Sequence, residues 1–387
     1  MDPIQLAAIL AAVVLLASML SVELGVTVAL IELTLGVVAG NLFGLHSQEW
    51  LDFVASFASI VLTFLAGMEV DPVYLRNRAK ATVGIGVVSF VGPFVVSAAV
   101  AYALLDWSGR ASLIAGTALS TTSLAVVYAV LVERGLTDTG IGKLLMSATF
   151  VTDLCTALAL SIIFIKPNIW FPLFLVVSIA LIVLLPRIAP WFFGRYGNRV
   201  IEPEIKLVFL SLFVLMVLAD ASNGHAVLPA FILGLAMSSH FEQHREEQTR
   251  MRVVAFAFLT PFFFIKGGLN VSLGAVAANL GLLGILVAAK MVPKLGLIGP
   301  LARRAAPGHA AFATLLMSTG LTFGTISSLY GLNAGIIDRT QFSLLITVVV
   351  LSAVVPTAIA ERWFLPDAEK ERHEDLRHPP VPAEEYV

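Results

Sequence analysis

From residue 4 to residue 364, apolar residues run in long blocks broken by short polar or charged stretches. A bilayer core is spanned by about 20 consecutive apolar residues in a helix. Turn residues and charges cut the chain into thirteen blocks of that kind. They lie near 4–22, 26–44, 51–69, 82–105, 111–132, 141–165, 169–193, 205–222, 225–240, 252–270, 275–299, 308–331 and 338–364. The pattern predicts an all-α polytopic membrane protein of about thirteen transmembrane helices. The stretch after Pro366, "PDAEKERHEDLRHPPVPAEEYV", is charged and proline-rich, and reads as a short disordered cytosolic tail over 366–387. It is too short for a nucleotide-binding regulatory domain.

Composition sharpens this reading. Of 387 residues, 58% are hydrophobic and 13% charged, with a mean hydropathy of +0.92; soluble domains carry about 25% charged residues. A net charge of −2 without a basic cluster gives no footprint for nucleic acid. The single cysteine, Cys155, excludes an internal disulfide framework. The opening "MDPIQLAAILAAVVLLASML" has no basic leader and no small-residue cleavage site, so it reads as a retained first helix. With the N-terminus outside, the inner loops and tail hold 18 lysines and arginines and the outer loops three, Arg110, Lys166 and Arg339. Positive charge collects on the cytoplasmic side, so the split predicts an outside N-terminus, a cytosolic C-terminus and an odd number of helices.

The chain also carries a trace of duplication. "ALSTTSLAVVYAVL" in the fifth segment resembles "LLMSTGLTFGTISSLYGL" in the twelfth. A shift of seven helices reverses orientation, so helices 2–6 and 9–13 are expected to be inverted repeats. Helices 7 and 8 would join them, and helix 1 would be additional.

Ionisable groups inside the spans carry the chemistry. A charge at the centre of a membrane helix costs roughly 2.5–3.5 kcal/mol on insertion scales, so such groups persist for function or for pairing. Four stand out: Glu32, Asp153, Lys266 and Lys290. Asp153 has Thr149 and Thr152 at i−4 and i−1, on or near its face. A carboxylate beside hydroxyls suits a small hard cation, and burial without the cation favours its protonated form. The plainer reading is a neutral aspartic acid hydrogen-bonded to a neighbouring helix. Lys290 lies mid-helix and is expected to pair with Asp153 or to neutralise opposed carbonyl dipoles; snorkelling is its plainer role. Lys266 and Lys294 lie nearer helix ends, where a long side chain can snorkel. Glu32 precedes Gly36 and Gly40, a spacing for close helix contact, and is expected to pair elsewhere in a structural role. Glu69 and Asp71 are expected at the inner surface. His240 and His244 sit at i and i+4 in an inner loop, either as a metal or pH site or simply solvated.

Two spans carry residues that break helices. Ser120, Thr121, Thr122 and Ser123 follow one another in mid-segment, between Gly116 and Ala125. Such side chains compete with the helix for backbone partners. Thr319, Gly320, Thr322 and Gly324 repeat the pattern in segment twelve. Broken helices at the midplane expose carbonyls for a cation and present opposed half-helix dipoles; small-residue packing alone is the plainer alternative. The triplet Asp138-Thr139-Gly140 spells an aspartic-protease motif, but once only and in a short loop. No metalloprotease, nucleophile-elbow or Walker motif occurs, so neither hydrolase nor ATP-driven pump is supported.

Taken in order, "FLAGMEVDP", "TALSTTSLAVVYAVL", the Asp153 helix, "TPFFFIKGGLNVSL" and "AAKMVPKLG" resemble the monovalent cation:proton antiporters, the Kef-like branch most of all, over residues 4–364. The resemblance implies a homodimer in which each protomer has a dimerisation scaffold, near 4–69 and 169–270, and a mobile core, near 82–165 and 275–364. Helices 5 and 12 would cross as broken helices. It places ion ligation on Asp153, as the Na⁺ or K⁺ site, with Thr121, Thr122, Thr149 and Thr152 beside it. It places the membrane lysine at Lys290. Two departures stand out. Thr152-Asp153 occupies the place of the family's Asp-Asp or Gln-Asp pair, and Pro293 replaces a glycine. The expectation is secondary exchange of Na⁺ or K⁺ against H⁺ in a bacterial inner membrane, without cofactor or enzymatic activity. A sodium-coupled symporter of an organic anion, on a related inverted-repeat fold, is the nearest rival, with a cation channel behind it.

Overall fold

The computed structural model describes residues 2–24, 27–68, 78–137, 139–164, 168–197, 199–243 and 245–367. Glu69, Asp71, Asp138, His244 and the tail beyond residue 367 lie outside the described residues. All regular structure among the described residues is helical. In chain order come α1 (Pro3–Leu24), α2 (Val28–Leu42), α3 (Glu49–Met68), α4 (Ala79–Ala103), α5 (Gly109–Ser120), α6 (Leu124–Glu133) and α7 (Gly140–Ile163). Then follow α8 (Phe171–Tyr196), α9 (Pro203–Ala221), α10 (Val227–Gln243), α11 (Arg245–Val254) and α12 (Thr260–Leu269), the last two joined by a π-helical turn over Ala255–Leu259. The chain ends in α13 (Leu273–Ala278), α14 (Leu280–Pro293), a second π turn (Lys294–Ile298), α15 (Gly299–Ala305), α16 (Ala310–Leu316), α17 (Thr322–Asn333) and α18 (Arg339–Trp363). Among the described residues, eight helical stretches are long and apolar enough to cross a membrane, and Val28–Leu42 and Val227–Phe241 are shorter apolar helices.

The chain divides into two compact units. The first comprises Met1–Asp71 and Ala157–Leu269. Two helix pairs dominate it, each built on glycine. In the α2–α12 pair, a Cβ at Gly36 would strike the Ile265 carbonyl, and one at Gly268 the Leu33 carbonyl. In the α3–α10 pair, Gly67 stands against the Phe231 carbonyl and Gly234 against that of Phe64. Where lipid removes the hydrophobic drive between helices, close backbone approach through small residues supplies the dispersion contact. Under the repeats expected from the sequence, α2 would correspond to α10 and α3 to α12.

Around these pairs, Leu6, Leu10, Ala39, Leu51, Phe262 and Ile265 form one buried apolar cluster. Phe57 stacks on Phe213 at 3.9 Å between ring centroids, fastening α3 to α9. Lys266 is buried, and its Nζ lies 2.8 Å from Asp52 Oδ1, a carboxylate that also accepts from Ser47 Oγ at 2.5 Å. The lysine therefore reaches a carboxylate on α3 instead of simply snorkelling. Glu32 is 1% exposed, and its Oε2 has no hydrogen-bond partner among the described residues, so the pairing expected for it is not observed. His240 meets Glu247 at 3.3 Å. Among the described residues, no group of three or more histidine, cysteine or acidic side chains could hold a metal ion.

The second unit comprises Pro72–Thr156 and Asn270–Val387. Its apolar core draws on α4, α6, α7, the second π turn, α15, α16 and α18 through residues such as Ile85, Leu131, Leu145, Ile298, Phe312 and Ala360. Here the close approaches serve a different end. Two interrupted helices, α5–α6 and α16–α17, meet at their breaks. A Cβ at Gly324 would lie 3.1 Å from the Ala118 carbonyl oxygen and 3.2 Å from Thr121 Oγ1.

Candidate functional site

The first break is written in hydroxyls. Ser120 Oγ donates to the Thr117 carbonyl and Thr121 Oγ1 to that of Ala118, both at 3.0 Å. Side-chain bonds of this kind compete with the helical ladder, and Thr121 turns extended at φ −64°, ψ 153°. Ser123 Oγ then accepts from the Val126 N–H at 3.4 Å and starts the next half-helix. In the partner span, Thr319 Oγ1 donates to the Leu316 carbonyl at 2.7 Å where α16 ends, and α17 resumes at Thr322. Gly320 lies between, where a Cβ would come 3.0 Å from Thr121 Oγ1. One hydrogen bond ties the two breaks directly, from Thr122 Oγ1 to the Met317 carbonyl at 2.9 Å. Ser120, Thr121, Thr122, Ser123 and Thr319 are all fully buried.

Asp153 lies in the part of α7 that belongs to this unit. It is 2% exposed, and its Oδ1 has no hydrogen-bond partner among the described residues. The hydroxyls expected to help it are engaged elsewhere. Thr149 Oγ1 contacts Met317 Sδ at 3.5 Å. Thr152 Oγ1 donates to the Ala148 carbonyl at 3.1 Å and lies 3.2 Å from that of Gly86. Thr152 thus fastens α7 to α4, where the small Gly86 admits Val151 and the Ala148 carbonyl. A buried polar atom without a hydrogen-bond partner is costly.

Lys294 corrects the sequence reading, which let it snorkel from near a helix end. Lys294 is completely buried. Its Nζ donates to Ser89 Oγ at 2.7 Å, Thr122 Oγ1 at 3.0 Å and the Met317 carbonyl at 3.0 Å. The backbone supplies the reason. Pro293 closes α14 and the chain passes directly into a π-helical turn beginning at Lys294. The wider turn alters the facing that a regular helix would have given this residue. Lys290, one turn earlier, is equally buried, but its Nζ has no hydrogen-bond partner among the described residues. It occupies the space beside Gly320, where any Cβ would collide with it.

One acid, two lysines and a rim of hydroxyls and carbonyls are therefore gathered where two broken helices cross. Sequence reasoning found Asp153, Thr121, Thr122, Lys290 and the breaks. It missed Ser89, a lone serine in an apolar span, and Met317, whose contribution is a backbone carbonyl and so is independent of residue type.

Interrupted helices that meet around buried ionisable groups are a feature of membrane transporter architectures. The family described as "Sodium/hydrogen exchanger, transmembrane" matches residues 8–364, and the chain belongs to it. The chain is 26% identical over 356 residues to a protein of Methanocaldococcus jannaschii named probable Na(+)/H(+) antiporter 3, covering 86% of this chain and 90% of that one. It is 24% identical over 366 residues to the Na(+)/H(+)-K(+) antiporter GerN of Bacillus cereus, covering 90% and 93%. Its fold is similar to that of the sodium proton antiporter MjNhaP1 from Methanocaldococcus jannaschii, with a TM-score of 0.69, 14% identity, and coverage of 95% of this chain and all of that one.

Proposed function

We propose that the protein exchanges a monovalent cation, Na⁺ or K⁺, against H⁺ by alternating access, with Asp153 binding proton and cation by turns. The observation that carries this is the state of Asp153: a carboxyl group 2% exposed, whose Oδ1 has no hydrogen-bond partner among the described residues. A proton or a monovalent cation satisfies such a group; both together would leave an uncompensated buried charge. The family and the named antiporters among its relatives support the same chemistry. In this reading the ions are cargo, and no cofactor takes part.

The second unit, with the crossed breaks, is the carrier in this scheme, and the first is the scaffold. The thirteen spans, the outside N-terminus, the cytosolic C-terminus and a bacterial inner membrane belong to the proposal, on the strength of the loop charges. So does a homodimer. Helices α1 and α8 are long, apolar and mostly exposed, as surfaces facing lipid or a second copy would be.

The test is transport in proteoliposomes with an internal pH dye. Wild type should show a cation-evoked pH change, and Asp153→Asn, which keeps the shape and loses the titratable charge, should abolish it. Retained exchange would remove Asp153 from the mechanism. Substrate-dependent sodium uptake without proton counterflow would instead establish symport.

A further inference from the structure

The contacts of Lys294 suggest more than packing. Its ammonium sits in a nest of three oxygens from three separate elements: Ser89 Oγ on α4, Thr122 Oγ1 between the half-helices α5 and α6, and the Met317 carbonyl at the end of α16. Ser89, Thr122 and Met317 are all fully buried. Two of these oxygens also lie close to each other, Ser89 Oγ and Thr122 Oγ1 at 3.3 Å. Hydroxyl and carbonyl oxygens without formal charge, closing on a single positive centre, are what a dehydrated monovalent cation requires in place of its water shell.

We propose that Ser89 Oγ, Thr122 Oγ1 and the Met317 carbonyl are ligands of the transported cation, that Lys294 holds their place when the cation is absent, and that the nest selects an ion of potassium or ammonium size. This rests on the exchange reading above and adds to it the ligands and the size preference. Three physical arguments support it. The first is distance: spacings of 2.7, 3.0 and 3.0 Å are those of ammonium hydrogen bonds. Potassium is close to ammonium in size and fits without rearrangement. Sodium is smaller and would require three oxygens on three elements to draw inward together.

The second is charge. As the cation enters, the Lys294 ammonium gives its proton to water on the side the cation came from and the neutral amine swings out of the nest. One positive charge then replaces another, so the exchange avoids the desolvation cost of an unpaired ion. The third is contrast. Lys290 is equally buried one turn away and has no such set of oxygens, so the nest is particular to Lys294 and is not a general feature of buried lysines in this unit.

The experiment is binding to the purified full-length protein in choline buffer at one fixed pH, read by thermal shift with KCl, NH₄Cl or NaCl. Wild type should be stabilised by K⁺ and NH₄⁺ at lower concentration than by Na⁺. Ser89→Ala should raise the K⁺ dissociation constant about tenfold, the equivalent of one lost polar contact, and erase the preference over Na⁺. Ser89→Thr should restore both, and Thr122→Val gives a second route should Ser89→Ala fold poorly. Lys294→Met removes the competitor and should tighten K⁺ binding. The deciding arm is Ser89→Ala in the Lys294→Met background. Weaker K⁺ binding there makes Ser89 a ligand; unchanged binding means that it only anchors the lysine and overturns the proposal. A wild type that prefers Na⁺ overturns it as well. Exchange itself is read separately in proteoliposomes, so binding without exchange counts against the proposed function and not against the nest.

Discussion

The two units use small residues at helix crossings in opposite ways. In the first, Gly36, Gly67, Gly234 and Gly268 let backbone meet backbone, and the nearest atoms to any added Cβ are main-chain carbonyls and amides. Such contacts have one geometry and no exchangeable partner. In the second, Gly320 and Gly324 also hold two helices close, but the space kept by Gly320 is filled by the Lys290 ammonium, and the contacts across the breaks run through Thr122, Ser89 and Lys294. Hydroxyls, carbonyls and an ammonium can trade partners with an ion or with water. The helix crossings are apolar in the first unit and polar in the second. Under the proposed exchange, the first is the unit that holds still and the second the one that changes its contacts.

The strongest way to break this contrast is to fill a glycine in the first unit. Gly67→Val places a branched side chain against the Phe231 carbonyl and the Leu235 amide, with backbone on both sides and no flexible side chain to yield. Overpacking costs 1–3 kcal/mol and occasionally more; here we expect the upper end, about 3 kcal/mol, with loss of monodisperse protein on size-exclusion chromatography. Gly320→Ala in the second unit should be milder in stability, because Lys290 Nζ at the end of a flexible chain can move aside, yet severe in transport. If Gly320→Ala unfolds the protein and Gly67→Val does not, the contrast is reversed.

Next come the two lysines, which test the polar unit from within. Lys294→Met strips three oxygens of a buried donor. Removing one member of a buried charged network costs about 3–5 kcal/mol, moderated here because Asp153 can take up a proton. Lys290→Met removes an ammonium with no hydrogen-bond partner among the described residues and should be neutral or stabilising in thermal unfolding. Equal destabilisation by both substitutions would show that the Lys294 contacts carry no particular weight.

Those lysines also mark the limit of what the sequence discloses. Helix existence and the breaks were legible, because apolar block length and runs of hydroxyl residues are local properties. Asp153 was legible because a carboxylate in an apolar block is expensive wherever it points. Lys294 was not, since counting residues from the helix end assumes regular α geometry and the π turn after Pro293 violates it. Ser89 and the Met317 carbonyl matter only through tertiary placement, and no residue type announces that. Thr152 and Thr149 were placed beside Asp153 by helical spacing; the structure gives them other partners, Gly86 on α4 and Met317. The Lys266–Asp52 pair escaped because it joins residues far apart in the chain.

The smallest expected effect compares ion pairs across the two units. Lys266–Asp52 in the first joins a lysine side chain 5% exposed to a carboxylate 49% exposed, with Ser47 as a second donor. Arg134–Glu361 in the second joins side chains 44% and 24% exposed at 3.1 Å, linking the end of the interrupted α5–α6 span to the end of α18. Exposed pairs are worth about 0.2–1 kcal/mol and weaken with salt. A double-mutant cycle on thermal stability should therefore give Arg134–Glu361 a coupling near the bottom of that range, lost in high salt. Lys266–Asp52, with its lysine buried, should couple more strongly and keep most of that coupling in salt. The order follows from burial, and it fits a unit that holds its elements fast beside one whose peripheral ties are weak enough to release. A larger and salt-resistant coupling at Arg134–Glu361 would mean that the polar unit is fastened as firmly as the dry one, and the distinction drawn from the glycines would not extend to the ends of the helices.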